Sequence, residues 1–189
     1  MSSKPIPPSP PGRIRIRGAP AIVPLAPDHW KAVRSILLEG IATGNTTFDR
    51  KAPEWQEWDS GHLVRCRAVA LHNGQVIGWA AISPVSPRPA YAGVGEVEVV
   101  VASAARAQGV GRALMNHIVD VSEAAGLWML QSSLFPENEA GIKLATGAGF
   151  REVGRRERIG KHFSRWRDVV LLERRSRRVG TPPPQSRRP

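Results

Sequence analysis

The segment Arg106-Ala107-Gln108-Gly109-Val110-Gly111 constrains this chain more than any other stretch. It separates a β-rich run, Glu96–Val101, from a helix-like run, Val110–Ala125. A strand that enters a glycine-rich turn and leaves as a helix belongs to a layered α/β architecture. Two readings of the turn stay open. It is an ordinary strand-to-helix connection, or it is a cradle for a diphosphate-like anion. Gly109 and Gly111 lack a Cβ, so a ligand can approach the backbone closely. The free N–H groups of a helix start, together with the helix dipole, favour negative charge there. Six residues alone do not choose between the two.

The rest of the chain alternates between periods of two and of about 3.6 residues. Ala21–Leu25 predicts a first strand. Pro27-Asp28 opens a helix carrying Trp30, Val33, Leu37 and Ile41, which Gly44 ends. Pro53 introduces a short helix with Trp55 and Trp58. His72-Asn73-Gly74 joins two alternating runs, Leu63–Leu71 and Gln75–Ile82, as a hairpin. Val94–Ala102 is the next strand. The helix after the glycines puts Val110, Leu114, Ile118, Val121 and Ala125 on one face, with Gly126 as its stop. Leu127–Leu134 is a strand, Glu139–Thr146 a helix, and Phe150–Arg158 with Arg165–Leu172 the closing strands. The expected fold is α/β, a mixed, mostly antiparallel central sheet flanked by helices.

A length of 189 residues suits one domain with a real core. No apolar run reaches the roughly 18 residues of a membrane span. The N-terminus has no apolar signal core and Cys66 has no partner cysteine, which points to the cytoplasm. Cys66 lies in an alternating run and reads as a structural thiol. The net charge of +11 is unevenly spread. The first 17 residues hold four cations and no acid, and the last 17 hold six arginines and one glutamate. The ends therefore carry nine of the eleven charges, and the body is near neutral. Both ends are also proline-rich. We expect residues 1–20 and 174–189 to be disordered basic tails around a domain at 21–173. Such tails touch nucleic acid only without specificity. The histidines show no metal-ligand spacing, so no metal is expected.

Strand alternation places Val97, Val99 and Val101 on one face of the glycine-preceding strand, and Glu96, Glu98 and Val100 on the other. Two carboxylates beside a presumptive ligand turn are candidate proton acceptors. The competing reading is a solvated polar face.

Several segments together resemble the GCN5-related N-acetyltransferases. They are Glu96–Ala102, Arg106-x-x-Gly-x-Gly-Arg112-Ala-Leu114, Pro136-Glu-Asn138 and Gly149-Phe150, in this order. Further segments are similar to the branch that acetylates phosphinothricin and methionine sulfone: Thr43–Phe48, Gly78-Trp79-Ala80, Pro87–Tyr91, Gly160–Phe163 and Trp166-x-Asp168-Val-Val170. The resemblance covers about Ala21 to Leu172. It implies an acetyl-CoA-dependent N-acetyltransferase that acts directly, with Glu96 as general base and Glu98 as a second base or substrate contact. It implies donor contacts from Val99, Val100 and Val101, from Arg106, Ala107, Gln108, Gly109, Val110, Gly111 and Arg112, and from Asn138. For Asn138 a helix-cap reading stands beside the donor contact. It also implies a homodimer with the acceptor site near its interface.

An acceptor that is a small amino acid wants a planar bidentate cation for its anionic group, which Arg88 supplies, with Phe48 and Tyr91 as walls. His162, Phe163 and Trp166 read as core, the other reading being pocket-lining from the same or a second subunit. Two positions depart from the family pattern. Ala145 stands where many members carry a proton-donating Tyr or His, and Ser86 stands where relatives often carry a first arginine. Protein, peptide or polyamine acetylation and non-catalytic acetyl-CoA binding remain alternatives.

Overall fold

The computed structural model describes residues 12–180. The strands are β1 Ala21–Pro24, β2 Arg67–His72, β3 Gln75–Pro84, β4 Val94–Val101, β5 Met129–Leu134, β6 Arg151–His162 and β7 Arg165–Arg175. The helices are α1 Trp30–Thr43, α2 Trp55–Gly61, α3 Val110–Ala124 and α4 Glu139–Gly147. The sheet order is β1-β2-β3-β4-β5-β7-β6. Every pairing is antiparallel except β4 with β5. The expected α/β fold with a mostly antiparallel sheet is the one found.

Alternation along β3 sorts the side chains into two cores. Ala80 and Ile82 join Val97, Val110, Leu114 and Ile118 beneath α3. Trp79 and Ala81 join Val33, Leu37, Trp58 and Val100 beneath α1 and α2. Val97 and Val100 therefore face opposite sides of β4, as a period of two requires. Glu96 and Glu98 share the side of Val100, toward α1 and α2. Gly78 lets α3 settle on the sheet, since a Cβ there would lie 3.0 Å from Leu114 Cδ1 and 3.1 Å from the Val100 carbonyl oxygen.

The β2–β3 turn uses Asn73 and Gly74, both at positive φ (50° and 74°), as a two-residue hairpin demands. Gly126, at φ 88°, follows the Ala125 cap of α3. The buried face of α3 is Val110, Leu114, Met115, Ile118, Val119 and Ser122, with Val121 and Ala125 only partly covered. The two rows 110-114-118-122 and 115-119 form the stripe, and the expected Val121 and Ala125 sit at its edge.

The closing hairpin is longer than expected, running to His162 and turning at Phe163-Ser164. Asp168 holds its β6 bulge by accepting from the Arg155 guanidinium and the Arg158 backbone N–H. His162 is buried at 3%, but Phe163 and Trp166 are each 56% exposed, so the core reading fails for these two. They flank the tip of a protruding hairpin, where no layer covers them.

Both domain boundaries also shift. The Ile14 N–H donates to the Ala104 carbonyl, and Gln108 holds both Ile14 and Ile16. At the other end β7 continues to Arg175, and Ser176 is buried, its N–H donating to the Trp128 carbonyl. Residues 14–16 and 174–176 thus belong to the folded body. The tail expectation for 1–11 and 181–189 lies outside the described residues. Cys66 is buried without a partner, and burial pushes its thiol pKa up. Among the described residues, no helix is long and apolar enough to cross a membrane.

Candidate active site

Strands β4 and β5 pair over only three positions, Val94↔Met129, Gly95↔Leu130 and Glu96↔Gln131. Beyond Glu96 they part, and β4 keeps its pairing with β3 through Val101. The β5-facing backbone of Val97–Val101 therefore lies open along a wedge. Glu96 sits at the apex of that wedge. Gln131, its register partner, donates from Nε2 to Glu96 Oε2 at 3.1 Å.

Three confluent hollows occupy the wedge. The largest, about 520 Å³, is bordered by Val99–Val101, Arg106, Ala107, Gly109, Gly111, Arg112 and Asn138. Of the expected donor-binding residues, Gln108 and Val110 do not border it. Gln108 turns its amide to the N-terminal segment, and Val110 is 1% exposed in the core. The hollow's floor is shaped by the absence of a side chain at Gly111. A Cβ there would lie 3.3 Å from Leu144 Cδ2 and 3.6 Å from Val101 Cγ2. Gly109 holds φ 83° and Ala107 φ 57°, so the turn bends through two left-handed residues. Ala107, which is not glycine, carries local strain there.

The first turn of α3 has N–H groups without intrahelical partners, and Ala113 N–H is the first to find one, on the Gly109 carbonyl. Arg106 donates from Nε to the Val101 carbonyl at 3.2 Å, which keeps the side chain at this rim. The arrangement of free amides, a helix start and two guanidinium groups is chemically suited to a diphosphate.

The second hollow, about 260 Å³, shares Val99, Val100, Asn138 and Leu144 with the first. It adds Glu96, Glu98, His62, Ser83, Ser132 and Ser133. The third, about 190 Å³, contains Glu96, Glu98, Thr46, Phe48, Ser133 and Phe135. The path therefore runs from the glycine turn, along open β4 backbone, to two carboxylates walled by Phe48 and Phe135. These rings meet edge-on at 4.7 Å. Phe48 itself rests on Gly160, where a Cβ would lie only 2.8 Å from its ring.

Asn138 caps α4, accepting from the Gly141 N–H at 3.0 Å, and its side chain also borders two hollows. Glu137 lies at the rim. Its own backbone N–H and Arg167 hold its pKa below the usual carboxylate range, against some desolvation. Arg167 is tied to Glu137, Asn45 and the Gly44 carbonyl, and lies 3.9 Å over the Phe135 ring. Burial and the charges of Arg167 and Arg50 push the His162 pKa down. Its Nε2 has no hydrogen-bond partner among the described residues.

Not every expected residue joins the site. Arg88 and Tyr91 lie on the exposed connection between β3 and β4, and neither borders the three hollows. Ala145 is 1% exposed in the core under α3, so this helix position offers no side-chain acid to the wedge. Sequence reasoning passed over His62, Gln131, Ser132 and Ser133. His62 follows Trp58 by four residues, a spacing that puts both on one helix face. Its approach to Glu98 is purely tertiary.

The match of the acetyltransferase (GNAT) family covers residues 30–150. The chain belongs to that family. It is 28% identical over 186 residues to a phosphinothricin N-acetyltransferase of Alcaligenes faecalis, covering 92% of each chain. It is 28% identical over 100 residues to an L-methionine sulfoximine/L-methionine sulfone acetyltransferase of Pseudomonas paraeruginosa, covering 53% of this chain and 58% of that one. The fold matches a phosphinothricin acetyltransferase of Sinorhizobium meliloti, crystallised with acetyl-CoA, at a TM-score of 0.78. Sequence identity there is 23%, with 89% of this chain and 95% of that chain covered.

Proposed function

We propose that this GNAT-family chain moves the acetyl group of acetyl-CoA onto the amino group of a small amino acid or toxic analogue, of the phosphinothricin or methionine sulfone type. One observation carries the reading: the wedge that opens at Glu96 runs from a diphosphate-compatible turn to a paired-carboxylate cavity. The donor's diphosphate fits the amides around Gly109 and Gly111 with Arg106 and Arg112. Its pantetheine amides fit the open edge of Val99–Val101, where strand-like hydrogen bonds are left unmade. The acetyl group then reaches the apex.

The acceptor enters as an ammonium ion and must lose a proton before it can attack. Glu96, oriented by Gln131, takes that proton directly or through water. The freed lone pair adds to the thioester carbonyl, and a β4 backbone N–H supports the oxyanion. Collapse breaks the carbon–sulfur bond and the electron pair leaves on sulfur. The nitrogen sheds its second proton, which a water passes to the departing thiolate, leaving a neutral amide and a free thiol. No acyl-enzyme forms.

A second reading, a polyamine or peptide amine as acceptor, is favoured by the cavity walls. Two carboxylates border the smallest hollow while Arg88 stands outside it. Thiol release from acetyl-CoA with methionine sulfone, methionine sulfoximine, phosphinothricin, ordinary amino acids, a peptide and spermidine decides between them. The proposed function expects release with a small amino-acid analogue. Release with spermidine or the peptide alone overturns it in favour of the second reading.

A further inference from the structure

The cap of α2 places an imidazole at the carboxylate cavity. His62 Nδ1 lies 2.6 Å from the Trp58 carbonyl oxygen. A carbonyl only accepts, so Nδ1 carries the hydrogen and the neutral ring presents Nε2 as a bare lone pair. Nε2 faces Glu98 Oε2 at 4.0 Å. That separation is longer than a direct hydrogen bond and short enough for one water or a small shift to carry a proton across it. The ring has little freedom to turn away. It stacks on Trp58 at 4.1 Å, and its side chain is only 14% exposed. Trp58 is in turn packed against Trp79 and lies under Arg67, which is paired with Asp59. A seven-residue helix is thus pinned at both its aromatic face and its acidic side, and its end directs one nitrogen at Glu98.

We propose that His62 is a relay and positioning residue: it acts through Glu98, receiving at Nε2 the proton taken from the acceptor amine. The inference rests on the reading of the Glu96–Glu98 cavity as the acceptor site. The ammonium proton passes to the carboxylate pair, and from Glu98 to Nε2. The resulting imidazolium is held between Glu98 and the Trp58 carbonyl until solvent removes the proton. The charged groups bordering this hollow are Glu96 and Glu98, both from β4. Asp59, on the helix that carries His62, is engaged by Arg67 of β2. Nothing on β3 contributes charge there, since Ser83 is its bordering residue.

The test uses the full chain, acetyl-CoA and methionine sulfone, with thiol release followed across pH. Wild type and Glu96→Gln are measured first, because turnover lost in Glu96→Gln supports the cavity reading itself. His62→Asn keeps a donor for the Trp58 carbonyl but has no Nε2, whereas His62→Gln puts an amide where Nε2 stood. The relay expects both to lower kcat per folded molecule by roughly tenfold with unchanged acetyl-CoA affinity. It also expects the acid limb of kcat/KM to lose one ionisation, and Glu98→Gln to add no further loss on His62→Asn. A His62→Asn enzyme with wild-type rate and pH profile overturns the relay, leaving His62 a helix cap. Losses in kcat with an unaltered pH profile, or fully additive with Glu98→Gln, overturn it equally. Imidazole nitrogen NMR gives a reading without turnover. The His62 Nε2 signal should change in Glu98→Gln, and an identical signal breaks the pair. Silence of wild type with every acceptor removes the cavity reading, which is distinguishable from an active wild type with a silent His62 effect.

Discussion

Glu96 and Glu123 are both glutamates on core elements, yet their surroundings differ in kind. Glu123, on α3, has a side chain only 6% exposed. Arg174 Nη1 donates to its Oε1 and Arg178 Nε lies at its Oε2, each at 2.9 Å. Burial alone would raise its pKa, but Arg174 and Ser176 hydrogen bonds and the two arginine charges bring it below the usual range. Glu96 meets a neutral amide, Gln131, and a cavity. The first carboxylate is spent on holding residues 174–178 against α3. The second has one oxygen without a hydrogen-bond partner among the described residues, which is what the proposed role of proton acceptor asks for. What faces a carboxylate, rather than its sequence neighbourhood, decides which task it performs.

That contrast breaks most visibly at Glu96. Glu96→Gln is expected to lower kcat by roughly a thousandfold with acetyl-CoA affinity by calorimetry nearly unchanged. A near-wild-type kcat would erase the distinction. Glu123→Gln should do the reverse: about 1 kcal/mol of lost stability, since Arg174 and Arg178 keep access to solvent, with kcat per folded molecule retained. For a domain of this size that lowers the melting temperature by about 2–4 °C. The sign with pH sharpens the point. Because the folded pKa is depressed, the Glu123 contribution is complete above the unfolded value near ~4.3 and is lost as pH falls through the folded value. The gap between wild type and Glu123→Gln should therefore narrow under acid, read by denaturant titration at several pH values. Gly160→Ala has the smallest expected effect. Its Cβ would displace the Phe48 ring, raising acceptor KM roughly threefold with kcat held, because a flexible side chain can shift.

Much of this was legible in the sequence. The Asn73-Gly74 hairpin, the glycine turn and the face shared by Glu96 and Glu98 follow from local rules of period and turn chemistry. What was hidden is tertiary. His62 and Glu98 meet where α2 packs on the sheet, and neither residue's neighbours announce it. The parting of β4 from β5 depends on where β5 pairs with β7, which no pattern within β4 records. The arginines at 174 and 178 read as a solvated tail because a basic run looks alike whether or not a buried carboxylate awaits it. Phe163 and Trp166 read as core because hydrophobicity does not reveal that a hairpin overshoots its sheet.

The short seam between β4 and β5 has a further consequence. With three rungs joining them, the strands β1–β4 and the strands β5–β7–β6 are nearly two separate ribbons sharing one stitch. A donor whose amides supplied the missing rungs would finish the weave. Occupancy and resistance to unfolding would then rise together with donor concentration. The chain's own durability would become a gauge of how much acetyl donor surrounds it.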